Sequence, residues 1–424
     1  MENLLTSLRH SLPGVVFVPG DDQYAESTSS YFSAQECDIK PACIVRPQNA
    51  SEVATIVSRL VGAIESEGTD FLKFAIRSGG HAAFAGSANV TNGVTVDLRA
   101  LDTIEVNQSL MTVTVGSGVS WGEVYRTLEP LGLGISGGRH SQVGVGGLTL
   151  GGGLSHFSGQ VGLVCDNVLE YEVVLASGEI IHATENDSEY RDLFRALRGA
   201  SNNFGIVTSF TFRIFPQGRV WGGTLIHPLE TKERQLSAFH DFCANPSFDP
   251  NASLIQSFGF SADRGTGCVN GVVYTKPESE KDVINPFINI EPTYVNTLRE
   301  MSITELTKEQ DAFNENGLCQ VVASTTFYLD LALLQRTIAA WEASIDSIRG
   351  YSGIVWSLSL QPIVPKVIAL SPFLQTAIPT LSDPPRTIVI AQLTGTWKNT
   401  EDTPARYDPE GIFQKCVPSG FKLY

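Results

Sequence analysis

Apolar and polar positions alternate along much of the first half of the chain. Val94, Val96 and Leu98 in GVTVDLRAL, and Met111, Val113 and Val115 in LMTVTVGSG, fall on every second residue, which predicts half-buried strands. The segment 41–60, PACIVRPQNASEVATIVSRL, reads as a short extended run followed by a helix opening near Ser51. FLKFAIRSGGH reads as a strand closing on Gly79 and Gly80. Ser120 and Glu123 form an S-x-x-E capping box, with Trp121, Val124, Leu128 and Leu131 on one helical face behind it. Ser177-Gly178, between NVLEYEVVLA and EIIHAT, predicts a hairpin turn. Ser188 is expected to open a helix through Leu197, and Phe210, Phe212 and Ile214 mark one more strand.

From about residue 218 the texture changes. RVWGGTLIHP, ASLIQSFGF, GCVNGVVYTK, CQVVASTTFYL, GIVWSLSLQPI and RTIVIAQLTG are strand-like runs separated by helical ones. After Asp330, the residues Leu331, Leu334, Ile338, Trp341, Ile345 and Ile348 recur three and four apart, a stripe that belongs to a core packed on a sheet. The expected fold class is α+β: a first domain of short strands and helices over 37–217, and a second over 218–402 with an antiparallel sheet covered by helices. Residues 1–36 form an N-terminal extension and 403–424 a C-terminal tail.

Composition narrows the function. The chain has 424 residues, enough for two or three domains, and its net charge of −16 repels phosphate backbones and anionic lipid. Neither nucleic acid nor membrane is an expected partner, and no apolar run approaches the roughly 18 residues of a membrane span. The N-terminus has no basic leader pattern, so a cytoplasmic location is the default. Secretion stays open, because Cys37 and Cys43 are close enough to pair and five N-x-S/T sequons occur, at Asn49, Asn89, Asn107, Asn186 and Asn251. The seven cysteines form no metal-ligand spacing, and no metal is expected. Oligomeric state is not legible.

Glycine carries the chemistry. The pattern G-x-G-x-x-G occurs at Gly132, Gly134 and Gly137, but it follows a helix and runs into more glycine, against the strand-turn-helix setting of a dinucleotide fingerprint. The larger run GGRHSQVGVGGLTLGGGLSHFSG, with Gly144, Gly146, Gly147, Gly151, Gly152 and Gly153, leaves a long stretch of backbone without Cβ. The interleaved Val143, Val145, Leu148 and Leu150 argue for packing. Such a segment can cradle a flat ring or a pyrophosphate. RSGGH, Arg77 to His81, offers a second tight, anion-friendly turn with an imidazole beside it.

These residues resemble the FAD domain of the vanillyl-alcohol oxidase / p-cresol methylhydroxylase (PCMH-type) flavoproteins. Their berberine-bridge-enzyme-like branch is the nearest, above all the fungal FAD-linked oxidoreductases of secondary metabolism. The stretches that carry the likeness are PACIVRPQNASEVATIV, AIRSGGH, VGVGGLTLGGGLSHFSGQVGLVCDNVLEYEVVLASG, DLFRALRGASNNFGIVTSFTF and the tail YDPEGIFQKCVPSGFKL. The resemblance implies an FAD joined covalently through His81. Arg77, Ser78, Gly79, Gly80 and Ala82 would lie around the pyrophosphate. Gly138, Gly144, Gly146 and Gly147 would lie beneath the flavin with Gly151, Gly152, Gly153 and Ser155, and Ile206 and Val207 near the adenine. Relatives with a second flavin bond place a cysteine where His140 stands, so one bond is expected.

The implied activity is an oxidase that takes hydride from an alcohol, amine or activated C–H of a small metabolite, with O2 as the second substrate and H2O2 as product. Relatives also carry a Y-x-N-Y motif before the tail, and none occurs after GTWKNTED, so the substrate domain is expected to be shortened and the catalytic base to come from elsewhere. Tyr328 and Gln361 are the candidates, with His140 and His227 behind them. The alternative readings are a flavin-holding template without redox turnover and an inactive truncated variant.

Overall fold

The computed structural model describes residues 1–68, 72–277, 283–377 and 386–398. The tail motif and the segment expected to hold Y-x-N-Y lie outside these residues.

Four short strands open the chain: β1 (Val16–Phe17), β2 (Cys43–Val45), β3 (Phe74–Arg77) and β4 (Val94–Asp97), in the order β1-β2-β4-β3. β2, β4 and β3 run parallel, and β1 pairs antiparallel with β2. Asn49 caps helix α1 (Ala50–Glu67) by accepting from Glu52 N at 3.0 Å. The helix buries Val53, Ile56, Val57 and Leu60 against this sheet, each such side chain worth ~1.5–3 kcal/mol relative to exposure. Alternation had predicted β4 to be half-buried, yet all four of its residues are buried. A parallel strand between two neighbours is covered on both faces, so threonine and aspartate there point inward rather than to water.

A second sheet holds β5 (Ile104–Asn107), β6 (Thr112–Gly116), β7 (Val168–Val174), β8 (Ile180–Thr184) and β9 (Ile206–Arg213), ordered β5-β6-β9-β7-β8 and antiparallel throughout. Helix α2 (Trp121–Leu128) starts with the expected capping box and drives Trp121 into the core of this sheet against Phe212. Leu131 falls past the helix end and is exposed. The helix expected from Ser188 begins instead at Arg191, because the Asp187 carboxylate holds Glu189 N and Tyr190 N in a turn. A short helix, α3 (Val145–Leu150), interrupts the glycine-rich segment.

The remaining chain builds one eight-stranded sheet. Its long strands are β10 (Val220–Pro228), β11 (Ala252–Ser261), β12 (Gly265–Tyr274), β13 (Cys319–Tyr328), β14 (Val355–Ile363) and β15 (Ile388–Trp397), ordered β10-β12-β11-β14-β15-β13 and antiparallel. Two helices cover one face, α4 (Lys232–Ala244) and α6 (Leu331–Ile345). The stripe of α6 lies where its spacing put it, with Leu334, Ile338, Trp341 and Ile345 buried and the Trp341 ring 6.3 Å from that of Phe258. Helix α5 (Ile303–Asp311), opened by a capping box between Ser302 and Glu305, crosses to contact α2. Cys37 and Cys43 are both free thiols, so the pairing that kept an oxidising compartment open is not formed.

Candidate functional site

β3 ends in Arg77, and the turn that follows depends on where its guanidinium goes. The side chain is fully buried: Nη1 donates to Ser27 O (2.6 Å) and Oγ (3.1 Å), Nη2 to Ser30 O (2.8 Å) and Oγ (3.0 Å). The guanidinium lies over the Tyr31 ring at 3.7 Å. Its charge is balanced by Asp97, which accepts from Ser27 Oγ at 2.8 Å and pairs with Arg99. Arg77 therefore anchors the loop from inside, and only its backbone remains for a ligand. Gly80, at φ +67°, turns the chain tightly over this anchor, where a Cβ would come 2.9 Å from Tyr31.

The loop then meets the glycine segment backbone to backbone. A Cβ on Gly79 would stand 2.6 Å from Gly144 Cα, and one on Gly146 2.9 Å from Ser78 Oγ. Ser78 Oγ donates to Ser117 O at 2.6 Å, and Ser117 Oγ in turn to Val207 O. Ser78, Gly79, Gly144, Gly146 and the start of β9 at Ile206 and Val207 are thus brought together. Most of the other glycines serve the chain's own packing: Gly138 abuts Trp121, Gly152 (φ +100°) faces Phe373, and Gly153 (φ +78°) fits against Val164. Ser155 Oγ accepts from Gly137 N at 3.2 Å. Gly147 differs, being exposed with nothing within 4 Å of where its Cβ would be.

His81 stacks on Phe32, centroids 4.0 Å apart and planes 11° from parallel. Burial, with the nearby His140, lowers its pKa to about 4, so the ring is neutral at physiological pH. His140 Nδ1 sits 3.7 Å from Asp311 Oδ1 and 3.3 Å from Asn314 Nδ2. Burial pushes the Asp311 carboxyl up, but hydrogen bonds from His140 and Ser141 more than offset it and hold the group below its ordinary range. Sequence reasoning missed Phe32, Asp311 and Asn314. The capping box that announces α5 is the one signal that leads toward Asp311, at that helix's end.

A second group closes the crevice between the glycine segment and the large sheet. Arg139 Nη2 donates to Gln361 Oε1 at 2.5 Å, and His156 Nδ1 meets Ser253 Oγ at 3.2 Å. Both line a cavity of about 40 Å³. His156 Nε2 is buried and has no partner among the described residues. Burial lowers Arg139 to about 10, and burial together with Arg139 and His140 lowers His156 to about 3. Tyr328 is not in this group. It packs at the sheet end against the cluster of Leu163, Ile363 and Ile368, with Arg386 over its ring at 4.6 Å. His227 faces the other way, toward Pro292 O (3.3 Å) and Thr293 Oγ1 (3.4 Å).

Comparison with known proteins agrees with this arrangement. Residues 41–184 match the FAD binding domain family. An FAD-dependent monooxygenase of Fusarium proliferatum is 37% identical over 73% of this chain and 59% of its own length. Another from Emericella nidulans is 34% identical over 78% of this chain and 68% of its own. The chain belongs to the FAD-linked oxidoreductases. A variant of berberine bridge enzyme solved with (S)-reticuline shares the fold, at TM-score 0.76, 16% identity, and coverage of 98% of this chain and 84% of that one. The chain spans 59% to 66% of the length of the first curated relatives it matches.

The residues of this FAD-linked oxidoreductase fit the cofactor. Gly147 leaves open space that a flat ring could occupy, the backbone of the turn at 78–82 is free of its buried Arg77 side chain and could face a pyrophosphate, and a neutral imidazole follows it. Among the described residues no group of three His, Cys, Asp or Glu can hold a metal, and no helix is long and apolar enough to cross a membrane.

Proposed function

We propose that this chain is an oxidase that holds FAD covalently through His81 and takes hydride from an alcohol, amine or activated C–H of a small metabolite in a biosynthetic pathway. The observation that carries the reading is a neutral, Phe32-stacked His81 beside a glycine segment with an open Gly147. A lone pair on the unprotonated ring is what bond formation to the 8α-methyl carbon would require, with a methyl C–H lost as a proton and the electron pair left on the isoalloxazine removed by O2; the stack fixes the imidazole plane. The chemistry FAD supplies when bound is two-electron oxidation, with hydride passing to N5 and electrons on to O2 as H2O2.

Placing the substrate and taking its proton fall to the protein. Of the candidate bases, His140 stands nearest His81's side of the site, with Asn314 Nδ2 donating to its Nδ1 at 3.3 Å and the Asp311 carboxylate 3.7 Å from the same nitrogen, so the ring is held in place by both neighbours. Gln361 is an amide whose oxygen already holds the Arg139 guanidinium, so it positions Arg139 rather than acting as a base. Tyr328 remains a candidate only for contacts at the sheet end.

Intact mass of the denatured protein, read with its visible spectrum, tests the covalent bond. One FAD of extra mass is expected, and its loss in His81→Ala; unchanged attachment in that variant removes His81 from the role. The names of the relatives favour a second reading, monooxygenation. Turnover under isotopically labelled O2 separates the two: label in H2O2 alone supports the oxidase, label in the product the monooxygenase.

A further inference from the structure

None of the six long strands β10–β15 contains an Asp, Glu, Lys or Arg, in a chain where such residues make up 17%. Burial explains this on one face only. Leu254, Phe258, Leu358, Leu360, Val389 and Ala391 pack beneath α4 and α6, where a charge would be costly. Among the described residues the opposite face is less covered: its positions on β11, from Ser253 to Ser261, are half-buried, and Val322, Ser324 and Thr326 on β13 are exposed.

Register lays out what that face offers. Ser257, Ser359, Gln392 and Ser324 stand directly opposite one another across four strands. The neighbouring row is Gly259, Ser357, Thr394 and Val322, and Gln361, Ile390 and Thr326 follow on the other side. Ser257 and Ser359 share a hydrogen bond at 2.8 Å, and Gln392 Nε2 donates to Thr394 Oγ1 at 3.3 Å. The face is turned to the cofactor segment, since Gln361 accepts from Arg139 and Ser253 meets His156. At its far edge Gln35 bonds to both N (3.0 Å) and O (2.6 Å) of Gln320, next to the Phe32 that stacks on His81.

We infer that the substrate is an uncharged molecule bearing several hydroxyl or carbonyl groups, bound flat across the row Ser257–Ser359–Gln392–Ser324, and that carboxylates and ammonium compounds are excluded. The inference rests on the oxidoreductase reading above and names its substrate class. Hydroxyls and amides exchange water's hydrogen bonds for equivalent ones on a neutral ligand, so such a ligand loses little on entering. A charged group loses its hydration and meets only neutral dipoles, so it is rejected by its own desolvation. Arg139, the cation bonded to this face among the described residues, has its Nη2 engaged by Gln361.

The test is a matched set of probes of one ring pattern: dihydroxybenzyl alcohol, dihydroxybenzoate and dihydroxybenzylamine, titrated calorimetrically into the protein as purified. Its visible spectrum is recorded alongside. The neutral alcohol is expected to bind at least about tenfold more tightly than either ion. Ser359→Ala should weaken the alcohol about three- to tenfold, as one lost hydrogen bond does. Ser359→Asp should invert the preference toward the amine. An ion that binds as tightly as the alcohol overturns the inference, as does no binding of the alcohol or insensitivity to both variants. Absence of a flavin spectrum counts against the cofactor reading alone, because calorimetry reads the preference either way.

Discussion

The two halves of the molecule bury polarity in opposite ways. Around the RSGGH turn it is ionic: Arg77 and Asp97 are fully buried and tied through Ser27, with Arg46, Arg99 and Glu26 extending the network outward. Between the large sheet and α4 it is neutral: Gln235, Gln256 and Asn270 bond to one another at 2.8 to 3.4 Å, with Gln256 Oε1 left without a partner among the described residues. The difference follows what each half must hold. The turn needs a rigid backbone, which a buried ion pair locked by serines supplies, whereas the neutral amides tie the covered face of the sheet to α4 without burying a charge.

The largest effect should come from breaking the ionic half. Asp97→Ala leaves the Arg77 guanidinium buried without its counter-charge and should cost ~3–5 kcal/mol in a denaturant melt. A loss no greater than that of a neutral-network variant would erase the contrast. Gly79→Ala comes next, at ~1–3 kcal/mol, because both groups that would collide are backbone and neither can swing away. Gly147→Ala sharpens the point from the other side: the apo-protein melt should hold or improve by up to ~1 kcal/mol, since alanine is the better helix former, while bound FAD falls. Gln256→Leu in the sheet should cost ~1–2 kcal/mol through the partners it leaves unpaired.

A further effect is in pH. In the apo-protein His81 and His156 have folded-state pKa values of about 4 and about 3, below the ordinary 6.5. Below that ordinary value the unfolded chain takes up protons that the folded chain refuses. Stability is therefore present above pH ~6.5 and is lost as pH falls toward 4 and then 3. The Tm of the apo-protein should fall steadily over that window, and His156→Phe should flatten the slope.

Most of the architecture was readable in the sequence because it rests on local periodicity. The stripe of α6, the capping box of α2 and the six strand runs all appear where their spacing put them. The cofactor family was readable through the resemblance carried by AIRSGGH and VGVGGLTLGGGLSHFSG, whereas the glycines alone imply only a cradle for a flat ring or a pyrophosphate. What stayed hidden depends on chain crossings. Asp311 reaches His140 from 171 positions away, and no spacing encodes that. The resemblance places Arg77 beside the pyrophosphate, and spacing gives no sign that its side chain points inward to Ser27 and Ser30. The glycines misled in a similar way, since several make room for Trp121, Val164 and Phe373.

The N-terminal segment around Phe32 has a practical consequence. Ala34 N donates to Leu318 O at 2.9 Å, Gly317 N to Phe32 O at 2.8 Å, and Gln35 clasps Gln320. These few residues tether the edge of the large sheet to the turn that bears His81. An engineer who cut the chain at residue 37 to express the flavin-binding portion alone would sever that tether. The imidazole would lose its stacking neighbour and Arg77 its bonds to Ser27 and Ser30, so a portable version of this portion has to begin upstream of Ser27.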